Sequence, residues 1–253
     1  RRRRSGKCRH SSGAPSQRGP TISVGPVRQA IATSSARAEL RSWPLDESIG
    51  HLALADVSMV PTSDQVDGWL SDAYTVPSPV MAVRTGALYP AAAAVFAERG
   101  FVVIDRLVLL ERALLGVQPR RRDRPHGTAG LRRARRRDLE TMAAIDQSAF
   151  QAGWRNDGAS LDAIADATPS VRGRLARVGG SDARTVGFAI TGKAGTTGYL
   201  QRIAVRPEAQ QLGIGRQLVD DAINWLMRRG ASRALVNTGV DNLAALRMYE
   251  QAS

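Results

Sequence analysis

The segment AVRPEAQQLGIGRQLV, residues 204–219, places Gln210, Gly213 and Gly215 where an apolar run gives way to a helix. Glycines at such a junction let the backbone turn tightly and let a ligand approach it without Cβ clashes. The first amides of the following helix lack partners within the helix, and the helix dipole adds positive potential. Together these features make an anion site, best matched by phosphate. The spacing is not that of a Walker loop, because no Gly-Lys-Ser/Thr is present. Nor is it a dinucleotide fingerprint, because Leu218 stands where the third glycine belongs. The alternative is a plain tight turn before a helix.

The elements that must hold this corner can be read from periodicity. A short strand is expected around 130–135. Asp138 is placed to cap a helix over DLETMAAIDQSAF, with Leu139, Met142, Ile145 and Phe150 near one face. After the loop QAGWRNDGA, Ser160 is the expected cap of a second helix. RLARVG (174–179) and RTVGFAITGK (184–193) read as antiparallel strands joined by Gly-Gly-Ser-Asp. GYLQRIAVRP is a third strand, stopped by Pro207. Gly215 to Arg229 is an amphipathic helix closed by Gly230. ALVNTGV (234–240) is another strand, and Asp241 opens a helix through Tyr249. The order β-α-α-β-β-β-α-β-α describes a mixed α/β (α+β) fold with a late β-α-β crossover.

The first half is simpler. Residues 1–40 are rich in Arg, Ser, Gly and Pro and read as a disordered basic tail. Residues 41–115 read as a smaller α/β lobe. Its strands are HLALADVSMV and VMAVRTG, its helices SDQVDGWLSDAY (with Ser63 as cap) and PAAAAVFAERG, and FVVIDRLVLLERAL supplies one or two further strands. Residues 116–128, GVQPRRRDRPHGT, form a basic linker.

Composition narrows the function. The single cysteine, Cys8, excludes a disulfide scaffold, and His10, His51 and His126 are too scattered for a zinc site, so no metal is expected. With one cysteine, a reducing, cytoplasmic setting is the default expectation; no apolar run approaches the roughly 20 residues of a membrane helix, so no membrane partner is expected. The sequence starts without an initiator methionine, so a fragment or a mis-started reading frame is the expectation. The net charge of +13 concentrates in residues 1–40 and 120–137, each with nine basic side chains against one acidic. Arginine runs in a tail and a linker bind polyanions without specificity. They lack the interleaved aromatics that stack on bases, which disfavours a dedicated nucleic-acid function.

Residues 129–253 resemble the Gcn5-related N-acetyltransferase (GNAT) superfamily. Gln210, Gly213 and Gly215 match its Gln/Arg-x-x-Gly-x-Gly/Ala signature. Ile203, Ala204, Val205 and Pro207 match the strand end before it, and Asn242, Ala245 and Tyr249 match its Asn-x-x-Ala-x-x-x-Tyr block. The resemblance implies a central mixed sheet flanked by helices and acetyl-CoA as acyl donor. Main-chain groups of Ile203, Ala204 and Val205 would pair with the pantetheine arm, on a strand splayed from residues 234–240. Amides of Gln211, Leu212, Gly213, Ile214, Gly215 and Arg216 would hold the pyrophosphate. Asn242 would contact the cofactor arm, and Tyr249 would protonate the leaving thiolate.

The resemblance has departures. Gln201 stands where many relatives carry a glutamate, and glutamine is no useful proton acceptor. A water held by Gln201, Tyr199 or Asn237, or a carboxylate from elsewhere, would then serve as base. Trp154 and Tyr199 are the candidate acceptor-site residues. Each side chain has a plainer alternative: Arg216 a surface helix residue, Asn242 a helix-terminal polar group, Tyr249 helix packing, Trp154 a loop anchor. The chain stops at Ser253, before the Gly-Phe pair and two final strands of the family, which leaves a sheet edge expected open. Residues 80–114, including Gly100-Phe101, echo that missing end without a glycine corner. The first lobe therefore resembles a degenerate or truncated half of a tandem GNAT protein, as in mycothiol synthase-like members; the alternative is an unrelated small α/β domain.

The expected function is acetyl transfer to a primary amine, a protein N-terminus or a small molecule, by direct attack in a ternary complex. The alternatives are a non-catalytic acyl-CoA-binding module and a polyanion-associated protein using its arginine runs.

Overall fold

A computed structural model describes residues 35–75, 80–116, 129–180 and 182–251. Most of the expected tail (residues 1–34), nearly all of the expected linker (residues 117–128) and Ser181 of the hairpin turn lie outside the described residues. The architecture that follows belongs to residues 36–253.

The first lobe is built on a hairpin. Strands β1 (Ala38–Trp43) and β2 (Asp46–Leu54) pair antiparallel around a tight turn in which Leu45 has φ of 64°. Helix α1 (Ser63–Thr75) crosses over and returns the chain to β3 (Ala82–Thr85), parallel to β2. The cap of α1 is Thr62 rather than the expected Ser63. Its hydroxyl accepts the Gln65 N–H, and the Gln65 side chain accepts the Thr62 N–H, a reciprocal capping box. Helix α2 (Pro90–Ala97) completes the lobe, whose core is Leu52, Val66 and Phe96, with Phe101 edge-on to Phe96 at 5.1 Å.

From there the chain leaves the lobe. Residues 102–104 are exposed coil, and only β4 (Leu107–Ala113) of the apolar stretch forms a strand. It joins a six-stranded sheet with β5 (Gly130–Arg133), β6 (Ser170–Val178), β7 (Arg184–Ala194), β8 (Thr197–Val205) and β9 (Arg233–Gly239), in the order β4-β9-β8-β7-β6-β5. β4 runs antiparallel to β9 from Leu107↔Gly239 to Ala113↔Arg233. This corrects the expectation of an open edge beyond residues 234–240. A strand from the first half of the chain occupies it, and Leu114 anchors it among Trp225, Leu226 and Ala234.

Helices cover both faces. On one, α3 (Leu139–Ala149) and α4 (Gly158–Asp166) bury Met142, Ile145 and Leu161 against Leu175, Phe188 and Ile190. On the other, α5 (Ile214–Arg228) sets Ile214 and Leu218 against Ala176 and Ala189. Its Asp221 holds Arg172 at 2.7 Å and Arg174 at 2.9 Å from β6. Helix α5 ends in a Schellman turn: Gly230, at φ of 72°, and Ala231 donate to Met227 and Leu226. Helix α6 (Leu243–Gln251) follows β9 and packs on α5.

Two expected caps differ. Helix α4 is capped by Asp157, which accepts the Ser160 N–H at 2.7 Å, so Ser160 is a donor inside the first turn. Asp138 stands at the N-cap position of α3, as expected, but its side chain makes no cap hydrogen bond. Its carboxylate accepts the Arg135 N–H and both ends of the Arg132 guanidinium. Part of the second arginine run is therefore folded structure. Besides Arg132, Arg136 pairs with Asp162 and Asp166.

Candidate active site

Strands β8 and β9 run parallel but pair only from Thr197↔Arg233 to Tyr199↔Leu235. Beyond that they part, and the cause is local. Ile190 of β7 stands opposite Arg202 and Thr191 opposite Leu200, which leaves Gln201 as the extra residue of a β-bulge. A bulge bends its strand. β9 cannot follow, because β4 pairs with it along its whole length. A wedge therefore opens at the carboxyl ends of two parallel strands, with Tyr199 and Leu235 at its apex.

Alternation decides which main-chain groups face the wedge. Arg206 donates its N–H to Val186 on β7 at 2.8 Å. Ala204 and Arg206 therefore turn their main chain toward β7, and Ile203 and Val205 turn theirs into the wedge. Of the three residues expected to meet a cofactor arm, Ala204 is already committed to the ladder. The Val205 carbonyl is also taken, by the Gln210 side-chain amide at 3.0 Å. What remains is the Val205 N–H with both groups of Ile203. On the opposite wall the same alternation turns the main chain of Leu235, Asn237 and Gly239 inward, since Val240 donates to Arg106 beside β4.

The glycine corner follows a 3-10 turn at Pro207–Ala209. Gln211 (φ 61°) and Gly213 (φ 75°) are left-handed, and α5 begins at Ile214. Successive N–H groups in such a turn form a concave donor nest. Among the described residues, none of the N–H groups from Gln211 to Arg216 donates to a backbone carbonyl. The two glycines do different work. A Cβ on Gly213 would meet nothing within 4 Å, so its need is conformational. A Cβ on Gly215 would lie 2.8 Å from the Met248 sulfur, so that glycine admits α6 rather than a ligand.

The side chains expected at the donor site divide in the same way. Arg216 lies along α5, its Nε 3.1 Å from Asp220 one turn on, which is the surface-helix alternative. Asn242 caps α6 by accepting the Ala245 N–H at 3.1 Å. Tyr249 is half-buried on α6, and burial pushes its phenol up to about 12.

On the α3–α4 face, Gln201 donates to the Ile164 carbonyl at 2.7 Å, and its Oε1 is buried without a partner. The residue thus ties the bulge to the end of α4. Asn237 is exposed on β9 opposite Leu109, and Trp154 is 38% exposed in the 3-10 turn Ala152–Trp154. Arg202, the other bulge residue, grips the loop from α3 to α4. Its guanidinium reaches fully buried Asp146 at 2.7 and 2.9 Å and the Trp154 carbonyl at 2.6 Å, and it stacks 3.6 Å from the centre of the Phe150 ring. Asp146 also accepts the Asn156 N–H at 2.8 Å. Arg202 and Asp146 are absent from the sequence-based candidates. The signal was present: Asp146 follows Ile145 on the helix stripe set by Met142 and Ala149, where an apolar residue belongs.

Comparison with known proteins agrees with this geometry. The model of the acetyltransferase (GNAT) family matches residues 139–253. No curated protein sequence matches the chain. Among solved structures, a GCN5-related N-acetyltransferase from Sphaerobacter thermophilus superposes with a TM-score of 0.56 at 15% identity, over 86% of this chain and 71% of that one. One from Kribbella flavida gives 0.51 at 16% identity, over 81% and 80%. The ribosomal-protein-S18-alanine N-acetyltransferase from Escherichia coli gives 0.43 at 22% identity, over 49% and 76%. The first two superpositions reach well beyond the family segment, so the first lobe shares in the likeness of fold. With its splayed parallel strands and the donor nest beside them, the segment 139–253 is an acetyltransferase domain of the GNAT family.

Proposed function

We propose that this domain transfers the acetyl group of acetyl-CoA to a primary amine by direct attack. The observation that carries the reading is the run of N–H groups from Gln211 to Arg216, unclaimed by any backbone carbonyl of the described residues, beside the β8–β9 wedge. A pyrophosphate matches that nest in charge and in its demand for donors. The free main-chain groups of Ile203 and Val205 match an amide-bearing pantetheine arm. Bound there, acetyl-CoA supplies an activated thioester.

The chain's own groups then orient the acceptor and manage its proton. Gln201 does not take it: the side chain is an amide whose nitrogen is committed to Ile164. Asp146 does not either, since Arg202 covers both its oxygens. An amine with an intrinsically low pKa suits such a site. An α-amine near 8 is partly neutral at working pH, whereas a lysine near 10.4 is not. Tyr249 keeps its proton throughout the neutral range and donates a hydrogen bond toward the departing sulfur. Trp154 and Tyr199 line the acceptor's approach.

The test is calorimetric titration of acetyl-CoA, followed by thiol release with a panel of amines. Saturable binding that a folded Gly213→Val variant loses places the donor in the nest. Binding without turnover of any amine favours an acyl-CoA-binding module, the reading that the amide at Gln201 supports. No binding by the folded parent overturns both.

A further inference from the structure

A cavity of about 290 Å³ lies between the first lobe and the α3–α4 loop, lined by Trp43, Leu45, Ile49, Arg84, Gly153 and Arg155. This is near the lower end of the size range of ligand pockets. Its far wall is the same loop whose Trp154 carbonyl Arg202 holds, so it adjoins the expected approach of the acceptor.

Its charge is unbalanced. Arg84 is half-buried, 5.2 Å from the centre of the Trp43 ring, and sits so close to the loop that a Cβ on Gly153 would lie 3.2 Å from its Nη1. Arg155 donates its Nε to the Phe150 carbonyl at 3.0 Å, which leaves both Nη groups to point elsewhere. Among the described residues neither arginine has a carboxylate within ion-pair distance. Arg132, Arg172, Arg174 and Arg202 each have one. The acid on the lining, Asp46, is engaged by the N–H and hydroxyl of Ser48. The Arg84 guanidinium beside a flat indole, with Arg155 and two aliphatic side chains on the same lining, suits a small ligand with a carboxylate on an apolar stem.

We propose that this cavity recognises the far end of the acceptor, and that the acceptor is an amine carrying a carboxylate. The proposal rests on the N-acetyltransferase reading and adds its substrate class. The first lobe then has a function of its own, since it supplies Arg84 and Trp43.

The test offers the full chain and acetyl-CoA a series of alanine peptides of two to four residues, whose α-amines have the low pKa the site asks for and whose carboxylate lies at the far end, each beside its C-terminal amide. At the best length the carboxylate should exceed its amide in kcat/KM by about 10- to 100-fold, the worth of a charge-assisted hydrogen bond. Arg84→Gln, and separately Arg155→Gln on the exposed loop, should bring that ratio toward one. Calorimetry of the N-acetylated acids against the N-acetylated amides reads the cavity without turnover. Equal kcat/KM and equal affinity at every length overturn the proposal, as does a preference that survives both substitutions. If no amine is acetylated but the acids still bind more tightly through Arg84, the transferase reading fails and the carboxylate site stands.

Discussion

Arg202 and Asp146 form a buried bidentate pair that joins the β-bulge of β8 to the last turns of α3. The pair fixes the loop to Trp154 from beneath. Removing one partner leaves the other charge buried alone. Asp146→Ala should therefore cost about 3–5 kcal/mol, read by denaturant unfolding, and the double variant with Arg202→Met should recover part of it. A fully additive pair of losses would refute the coupling. In Arg202→Lys, which cannot reproduce the fork, the acceptor KM should rise more than the affinity for acetyl-CoA falls.

β4 belongs to the acetyltransferase sheet although its sequence lies before the family segment. A chain starting at residue 105 should fold with β9 covered. One starting at residue 129 should expose that edge and associate. Light scattering and hydrogen exchange at residues 233–239 decide it. A soluble, fully protected shorter chain would show that β4 is dispensable.

Gln211 holds φ of 61° without being a glycine. Left-handed backbone costs an ordinary residue about 1–2 kcal/mol. Gln211→Gly should therefore raise stability by about 1 kcal/mol, while Gly213→Ala should lower it by a similar amount. Thermal melts with and without acetyl-CoA measure both. A destabilised Gln211→Gly would point to a role for that side chain in the corner.

The Arg132 guanidinium, with the Arg135 N–H, holds the Asp138 carboxyl at about 2, below its ordinary 3.8. A depressed carboxylate stabilises the folded state above its unfolded pKa and loses that contribution as pH falls through the folded one. The loss should run from about pH 4 to about pH 2. Asp138→Asn should remove this slope, and an unchanged acid-unfolding curve would show that Asp138 is not its source.

Tyr249 carries its proton well past neutrality. An ordinary thiol has a pKa near 8.5, so in the proposed reaction the phenol would assist the departing sulfur by hydrogen bonding ahead of full proton transfer. Tyr249→Phe should lower kcat by about 100-fold, with binding of acetyl-CoA kept. The pH–rate profile should follow the pKa of the acceptor amine and show no tyrosine limb below pH 10.

The sequence by itself determined the order of elements from residue 130 to 251, the turn at Gly213 and the position of the donor nest. These are local matters. Helix stripes, strand alternation and a left-handed glycine are set by neighbours a few residues apart, and the periodicity records them. It did not determine which of its candidates face the wedge. Ala204 is turned away, Gly215 makes room for Met248, and Asn242 and Arg216 are spent on Ala245 and Asp220, because ladder register and helix packing assign those groups. Nor did it show that β4 would close the sheet, that Arg202 would find Asp146 from 56 residues away, or that Arg84 and Arg155 would line one cavity. Such contacts join segments distant along the chain. A charged residue in a strand looks the same in sequence whether it ends in water or on a buried partner, and only the tertiary structure brings the partner to it.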